Sequence, residues 1–149
     1  MNTAEIESFS RQLLAPLHAL KLDAEYRENT FAASQAKLAL DVVESVTLLH
    51  RLDSRQTQLE LEPVHLGDII VRVLASLREY FGEMQIDYEL DFQKGVPLVN
   101  SDRHVIEHAL KMLLYGVQSL NTSGTVISIK AHKDKDNNVK CIVGARALD

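Results

Sequence analysis

The sequence predicts an α+β protein. An N-terminal antiparallel helical hairpin, which becomes a four-helix bundle when two copies pair, is followed by an incomplete α/β sandwich with helices on one face of a mixed sheet. Three observations predict it. Up to about Asp53, apolar residues recur at steps of three and four, the period of an amphipathic helix. Beyond Leu59 the pattern changes to alternating segments interleaved with helical ones. The resulting order of strand, helix, strand, helix, strand, strand is that of a helix layer packed on a sheet. The domain boundaries that follow are 1–55 for the hairpin and 56–149 for the layered part.

Each element has its own warrant. In the first helix Ile6, Phe9, Leu13, Leu17 and Leu20 form one stripe, and the polar run "DAEYRENT" breaks it. Asn29 or Thr30 can cap the second helix, since both side chains can accept a bond from a free N–H of the first turn. That helix carries Leu38, Val42, Val46, Leu49 and Leu52. Two long apolar stripes have only one partner face within a single hairpin, so a homodimer is expected, with Leu13, Leu17, Leu20, Val42, Val46 and Leu49 in its core.

In the second part "LELEPV" reads as a short strand and "HLGDIIVRVLASLREYFG" as one helix with Leu66, Ile69, Ile70, Val73, Leu74 and Leu77 inward. "MQIDYELDF" alternates Ile86, Tyr88, Leu90 and Phe92 on one side of a strand. Ser101 or Asp102 caps a helix whose stripe is Ile106, Ala109, Leu110, Leu113, Val117 and Leu120. "GTVISIKAH" and "NVKCIVGA" are two strands joined by the turn "KDKDNN".

Composition narrows the functional classes. At 149 residues the chain can bury a real core as one domain or two small ones. Hydrophobic content of 46% with 25% charged residues is that of a globular chain. A net charge of −5 argues against nucleic acid as the main partner. No apolar run approaches the length of about 18 residues that a membrane span needs, so no membrane insertion is expected. The opening "MNTAEIESFS" is polar and acidic, unlike a secretory leader. The lone Cys141 has no internal disulfide partner and no companions for a cysteine-based zinc site. The expected location is cytoplasmic.

Three separated motifs, in order, carry a family resemblance. Ser10-Arg11-Gln12-Leu13-Leu14-Ala15-Pro16-Leu17 resembles the phosphoacceptor segment S-H-E-L-R-T-P-L of sensor histidine kinases, matching at the serine, the first leucine, the proline and the last leucine. "LLHRLDSRQTQLELEPVHL", Leu48 to Leu66, is similar to the family's stretch L-L-x-L-S-R-L-E-x-G-x-L-x-L-E-x-x-P-V-D-L. Asp102 leads "RHVIEHALKMLLYGVQS", which resembles the helix that ends N-L-L-x-N-A-x-K in the family's GHKL-type ATPase domain. The resemblance implies a dimerising hairpin, an ATP-binding layer and docking of response-regulator receiver domains beside the phosphoacceptor. It also implies a bend at Pro16, because proline removes one backbone bond of a helix interior, at a cost of about 3 kcal/mol. The competing reading makes Pro16 the first residue of a helix starting at Ala15. The apolar phase, unbroken from Ile6 to Leu20, favours the bend.

The departures are as informative as the matches. Arg11 stands where the phosphoacceptor histidine is implied, and a guanidinium stays protonated, with no nucleophilic nitrogen to offer. Gly116 aligns with the asparagine implied as a Mg²⁺ ligand, Met112 with the preceding asparagine and Ser119 with the basic residue, so hard oxygen ligands for magnesium–nucleotide are absent at these positions. In place of the Asp-x-Gly-x-Gly segment implied for adenine stands "IVGARALD". The expectation is no cofactor and no ATP binding. Val139, Cys141 and Val143 would then lie at an uncovered sheet edge, which favours a fragment of a longer kinase or a partner over the edge.

The remaining candidates have weaker claims. His104 and His108 are four apart on one helix, a metal-holding spacing, but no third ligand is evident and Glu107 points elsewhere, so a solvated face is expected. His18 lies two turns beyond Arg11 and could act as a substitute phosphoacceptor, but the preferred reading is a surface histidine beside the bend. The leading expectation is a non-catalytic histidine-kinase-like signalling module. It would dimerise and dock a receiver domain, or an active histidine kinase, through Arg11, Gln12, Leu14, Pro16 and His18. The alternatives are an ATP-independent phosphotransferase working through His18 or His50, and a plain oligomerisation module.

Overall fold

The computed structural model describes residues 3–119 and 125–147. The chain divides into two compact units, Met1–Leu59 and Glu60–Asp149.

The first unit is an α-helical hairpin of α1 (Thr3–Tyr26) and α2 (Thr30–Asp53). Helix α1 continues through Pro16, so Pro16 is not the start of a helix at Ala15. It also continues through Asp23–Tyr26, part of the run expected to form the loop. The helix stops where Glu28 turns left-handed at φ 55°. There the Asn29 N–H reaches back to the Ala24 carbonyl at 2.8 Å and the Glu28 N–H to the Glu25 carbonyl at 3.0 Å, which satisfies carbonyls the helix end leaves open. Asn29 then caps α2, its side-chain oxygen accepting from the Ala32 N–H at 3.0 Å. Helix α2 ends in the same manner at Arg55, φ 56°, with the Gln56 N–H on the Arg51 carbonyl at 2.9 Å.

What this hairpin buries is mostly small or polar: Ser10, Ala24, Ala33, Ser34, Ala36, Leu40, Asp41 and Ser45. The Thr47 hydroxyl donates to Ser10 Oγ at 2.7 Å, tying α2 to α1. The larger apolar side chains are left out. Leu49 is 68% exposed, Leu20 60%, and Val42 and Val46 are also exposed, while Leu13 and Leu17 are half-buried.

The second unit holds the apolar core. Its elements are β1 (Glu62–Val64), α3 (Leu66–Ser76), α4 (Arg78–Glu83), β2 (Ile86–Phe92), β3 (Val99–Ser101), α5 (Arg103–Ser119), β4 (Thr125–Lys133) and β5 (Val139–Ala147). A three-stranded mixed sheet has the order β2-β4-β5, with β2 parallel and β5 antiparallel to β4. Tyr88 lies opposite Ile127 and Leu90 opposite Ile129. A separate two-stranded ribbon pairs β1 with β3, Val64 opposite Val99. Helices α4 and α5 pack on the sheet strands, and α3 packs on α5. Val64, Ile69, Ile70, Val73, Leu77, Leu114, Ile127 and Ile129 are fully buried. Burial of each stabilises the fold by about 1.5–3 kcal/mol.

Four expectations need correction here. The helix expected over His65–Gly82 is two helices, because Leu77 leaves helical geometry at φ −100°, ψ 2° while its side chain stays in the core. The strand expected over Leu59–Val64 is three residues long. Strand β3 was not anticipated; it exists because β1 supplies its hydrogen bonds from about 37 residues upstream. On α5 the buried face is His108, Leu110, Leu114 and Tyr115, whereas Ala109 and Leu113 are exposed. Leu120, Gly124, Leu148 and Asp149 of the expected segments lie outside the described residues.

Candidate functional site

Two places carry the residues singled out by the sequence, one in each unit.

In the hairpin, the middle of α1 presents Arg11, Gln12, Pro16 and His18 to solvent, with Leu14 half-buried. The Arg11 side chain is 78% exposed. It faces Glu7, one turn earlier, with its Nη2 at 3.8 Å from Glu7 Oε2. The other oxygen, Oε1, accepts from Arg51 Nε of α2 at 3.0 Å. Two arginines from two helices therefore meet one half-buried carboxylate. Arg51 and Glu7 were not singled out by sequence reasoning, because they are 44 residues apart and no local pattern links them. His50, on the last part of α2, is half-buried.

In the second unit, α5 presents the positions that the motif resemblance assigns to nucleotide binding. Met112 is half-buried, and Gly116 and Ser119 are exposed. The Ser119 hydroxyl donates to the Gly116 carbonyl at 2.8 Å, a local helix-end bond. A side chain added at Gly116 would meet nothing within 4 Å, so packing does not require glycine there.

At the other end of α5, Asp102 is the cap. Its Oδ1 accepts from the His104 and Val105 N–H groups at 2.9 and 3.2 Å, and its Oδ2 from the Glu60 N–H at 3.0 Å. The bond from Glu60, joined by those from Val105 and His104, holds the Asp102 carboxyl below the usual aspartate range. A cleft of about 420 Å³ opens beside it, lined in part by Glu62, Arg72, Arg103, His104 and Glu107. Its charges are matched internally: Arg103 Nε lies 2.9 Å from Glu62, and Arg72 Nη1 3.6 Å from Glu107. The rings of His104 and His108 meet edge to face at 4.5 Å. His108 is only 7% exposed, which corrects the expectation of a solvated histidine face. Among the described residues no group of three or more His, Cys, Asp or Glu side chains is placed to hold a metal ion. Cys141 is half-buried, and burial pushes its thiol up. Among the described residues no helix is long and apolar enough to cross a membrane.

No family model and no curated protein matches the chain. Solved structures do. Full-length ShkA in complex with AMPPNP superposes with a TM-score of 0.61 at 14% identity, covering 96% of this chain and 33% of that one. A histidine kinase from Burkholderia phymatum STM815 gives 0.55 at 19% identity, covering 97% and 66%. Histidine kinase ThkA, solved in complex with the response regulator protein TrrA, gives 0.55 at 17% identity, covering 95% and 43%. The fold is that of a histidine-kinase core. With 95–97% of this chain covered in these superpositions, both the helical hairpin and the α+β unit belong to that fold. The chain spans from a third to about two thirds of the length of these solved chains. On this histidine-kinase fold, the three motifs of the sequence fall on α1, on the end of α2 running into β1, and on α5.

Proposed function

We propose that the chain is a degenerate histidine-kinase-like module of two-component signalling, located in the cytoplasm, which dimerises through residues 1–55 and docks a protein partner instead of catalysing phosphoryl transfer. The observation that carries this reading is Arg11. A largely exposed guanidinium on α1 of a histidine-kinase fold stands five residues before Pro16, where the motif implies the phosphoacceptor. Arginine offers charge and hydrogen bonds but no nucleophile. Met112, Gly116 and Ser119 on α5 support the same reading from the nucleotide side, since none presents a carboxylate or amide oxygen to Mg²⁺. The exposed Leu20, Val42, Val46 and Leu49 support dimerisation, because a second copy would bury them in a four-helix bundle together with Leu13 and Leu17.

The partner is a response-regulator receiver domain, or alternatively an active histidine kinase that pairs with the hairpin. Support for the receiver comes from ThkA, which was solved with a response regulator. Arg11 with Gln12, Leu14, Pro16 and His18 would form the contact, the guanidinium meeting the carboxylates of the receiver's acidic pocket.

The test is a receiver pull-down combined with incubation in Mg²⁺-ATP. Receiver capture without labelling of the chain is expected. ATP-dependent labelling overturns the non-catalytic reading. Acid-labile phosphate on His18 or His50, acquired from a phosphorylated receiver, replaces it with the ATP-independent relay.

A further inference from the structure

The triad of Glu7, Arg11 and Arg51 has a charge arrangement that single-residue docking at Arg11 does not use. Two guanidiniums from α1 and α2 converge on one carboxylate, one oxygen each, Arg51 at 3.0 Å and Arg11 at 3.8 Å. The cluster therefore carries a net single positive charge while Glu7 is in place, and a double one once Glu7 swings away. Glu7 sits on the same helix as Arg11 with its side chain 25% exposed, and a change of side-chain rotamer is the motion that would release it. Arginine forks suit phosphoryl oxygens as well as carboxylates, and a dianion gains from two such forks where a monoanion is already matched by one.

We propose that Glu7, Arg11 and Arg51 form a guarded anion subsite for a phosphoryl dianion, with the Glu7 carboxylate as the resident competitor that the ligand displaces. The occupant is the phosphorylated carboxylate of a docked receiver domain. This rests on the docking reading above and sharpens it: the module would select the phosphorylated receiver over the unphosphorylated one. An unphosphorylated aspartate brings one negative charge and only replaces what Glu7 already supplies. A phosphoryl group brings two, matching the two guanidiniums once Glu7 has left. The geometry also assigns Arg51 a role that neither the motif nor its position near the end of α2 suggested.

The experiment uses the full chain labelled with nitrogen-15, following the Nε–Hε signals of Arg11 and Arg51. Inorganic phosphate and acetate are titrated separately at constant ionic strength. Saturable shifts at both arginines are expected with phosphate and not with acetate over the same range. Glu7→Gln removes the competitor and should lower the half-saturating phosphate concentration about two- to fivefold, the span of one exposed ion pair. Arg51→Ala should abolish saturation at Arg11, and Arg51→Lys, which keeps the charge but not the fork, should restore it in part. Linear drift identical for the two anions, an unchanged midpoint in Glu7→Gln, or saturation at Arg11 that survives Arg51→Ala each overturns the subsite. A second arm compares receiver domain treated with acetyl phosphate and untreated. Tighter binding of the treated form, lost in Arg51→Ala, is expected, and equal binding overturns the assigned occupant. A receiver that binds in neither form, with the phosphate response intact, overturns the docking reading and leaves the subsite standing.

Discussion

The two units of this chain bury opposite kinds of side chain. The α+β unit encloses Ile69, Ile70, Leu77, Leu114, Ile127 and Ile129, large aliphatics that reach into a common core between helices and sheet. The hairpin encloses mostly serines and alanines, with Leu40 and the buried Asp41, held by Lys37 at 3.1 Å, and leaves Leu20, Val46 and Leu49 in solvent. A hairpin that leaves this many large apolar residues in solvent gains less from its own interface than the α+β unit does from its core. The α+β unit supplies its own hydrophobic driving force, whereas the hairpin leaves an apolar stripe open, which the proposed dimer would cover. The amino-acid period is the same in both, so amphipathicity alone does not distinguish a self-sufficient element from one awaiting a partner.

The most damaging way to break this comparison is to charge the exposed stripe. Leu49→Glu should leave the helices of a single chain intact, because Leu49 touches solvent there. In the proposed dimer it puts two uncompensated charges into one bundle core through the two-fold axis, costing about 3–5 kcal/mol. Light scattering should show a dimer for the parent and a monomer for the variant, with equal helical circular dichroism. A parent that stays monomeric at high concentration removes the premise that the hairpin needs a partner.

The complementary change acts on the self-sufficient unit. Leu77 has no exposed surface and sits where α3 breaks into α4. Leu77→Ala should cost about 2–5 kcal/mol in denaturant unfolding, from lost transfer energy and the cavity left behind. The same replacement at Val46 in the hairpin should leave the unfolding of this unit unchanged.

That contrast also marks how far the sequence could be read. The stripe Leu66, Ile69, Ile70, Val73, Leu74, Leu77 was legible because each residue is buried by its own helix phase. The break at Leu77 was not, since an apolar residue at the right phase carries no stop signal. The end of α1 lies later than its polar run suggests for a related reason. The left-handed closing positions are Glu28 and Arg55, where the usual glycine signal is missing. On α5 the apolar residues fall on more than one face, and the tertiary partners α3 and the sheet choose His108, Leu110 and Leu114 over Ala109 and Leu113. At the candidate site Arg11 and Pro16 were legible from a local motif. Glu7 and Arg51 were not, because their meeting depends on how two helices pair in register.

A smaller effect probes how the ribbon is joined to α5. Asp102 holds three N–H groups, two of its own helix and one of Glu60. Asp102→Ala should cost about 1–2 kcal/mol, mostly as a lost cap. Because the folded-state pKa is depressed, ionised Asp102 contributes stability that is complete above the ordinary aspartate value near 4 and is lost as pH falls through the lower folded value. Acid unfolding of the parent should therefore be steeper below about pH 4 than that of Asp102→Ala, whose curve lacks this group. Identical acid limbs in the two proteins would mean that the cap does not report on the α+β unit.

The smallest effect on stability is expected at Arg11, and its smallness is the point. The side chain is 78% exposed and stands 3.8 Å from Glu7, a loose contact within one helix. Arg11→Ala should change unfolding free energy by under about 0.5 kcal/mol, as for an ordinary exposed ion pair. A position that the fold does not need is free to be set by a partner, whereas Leu77 is not. The consequence should appear in binding: Arg11→Ala and Arg11→His should both weaken receiver capture, since neither keeps a permanent guanidinium on the face of α1. Arg11→His should remain unlabelled by Mg²⁺-ATP, because Met112, Gly116 and Ser119 still offer no hard oxygen set to the nucleotide. A loss of stability well above the stated value would make Arg11 a structural residue of the hairpin. Equal receiver capture by all three proteins would leave it an ordinary solvated side chain, and the hairpin's need for a partner would then rest on its apolar stripe alone.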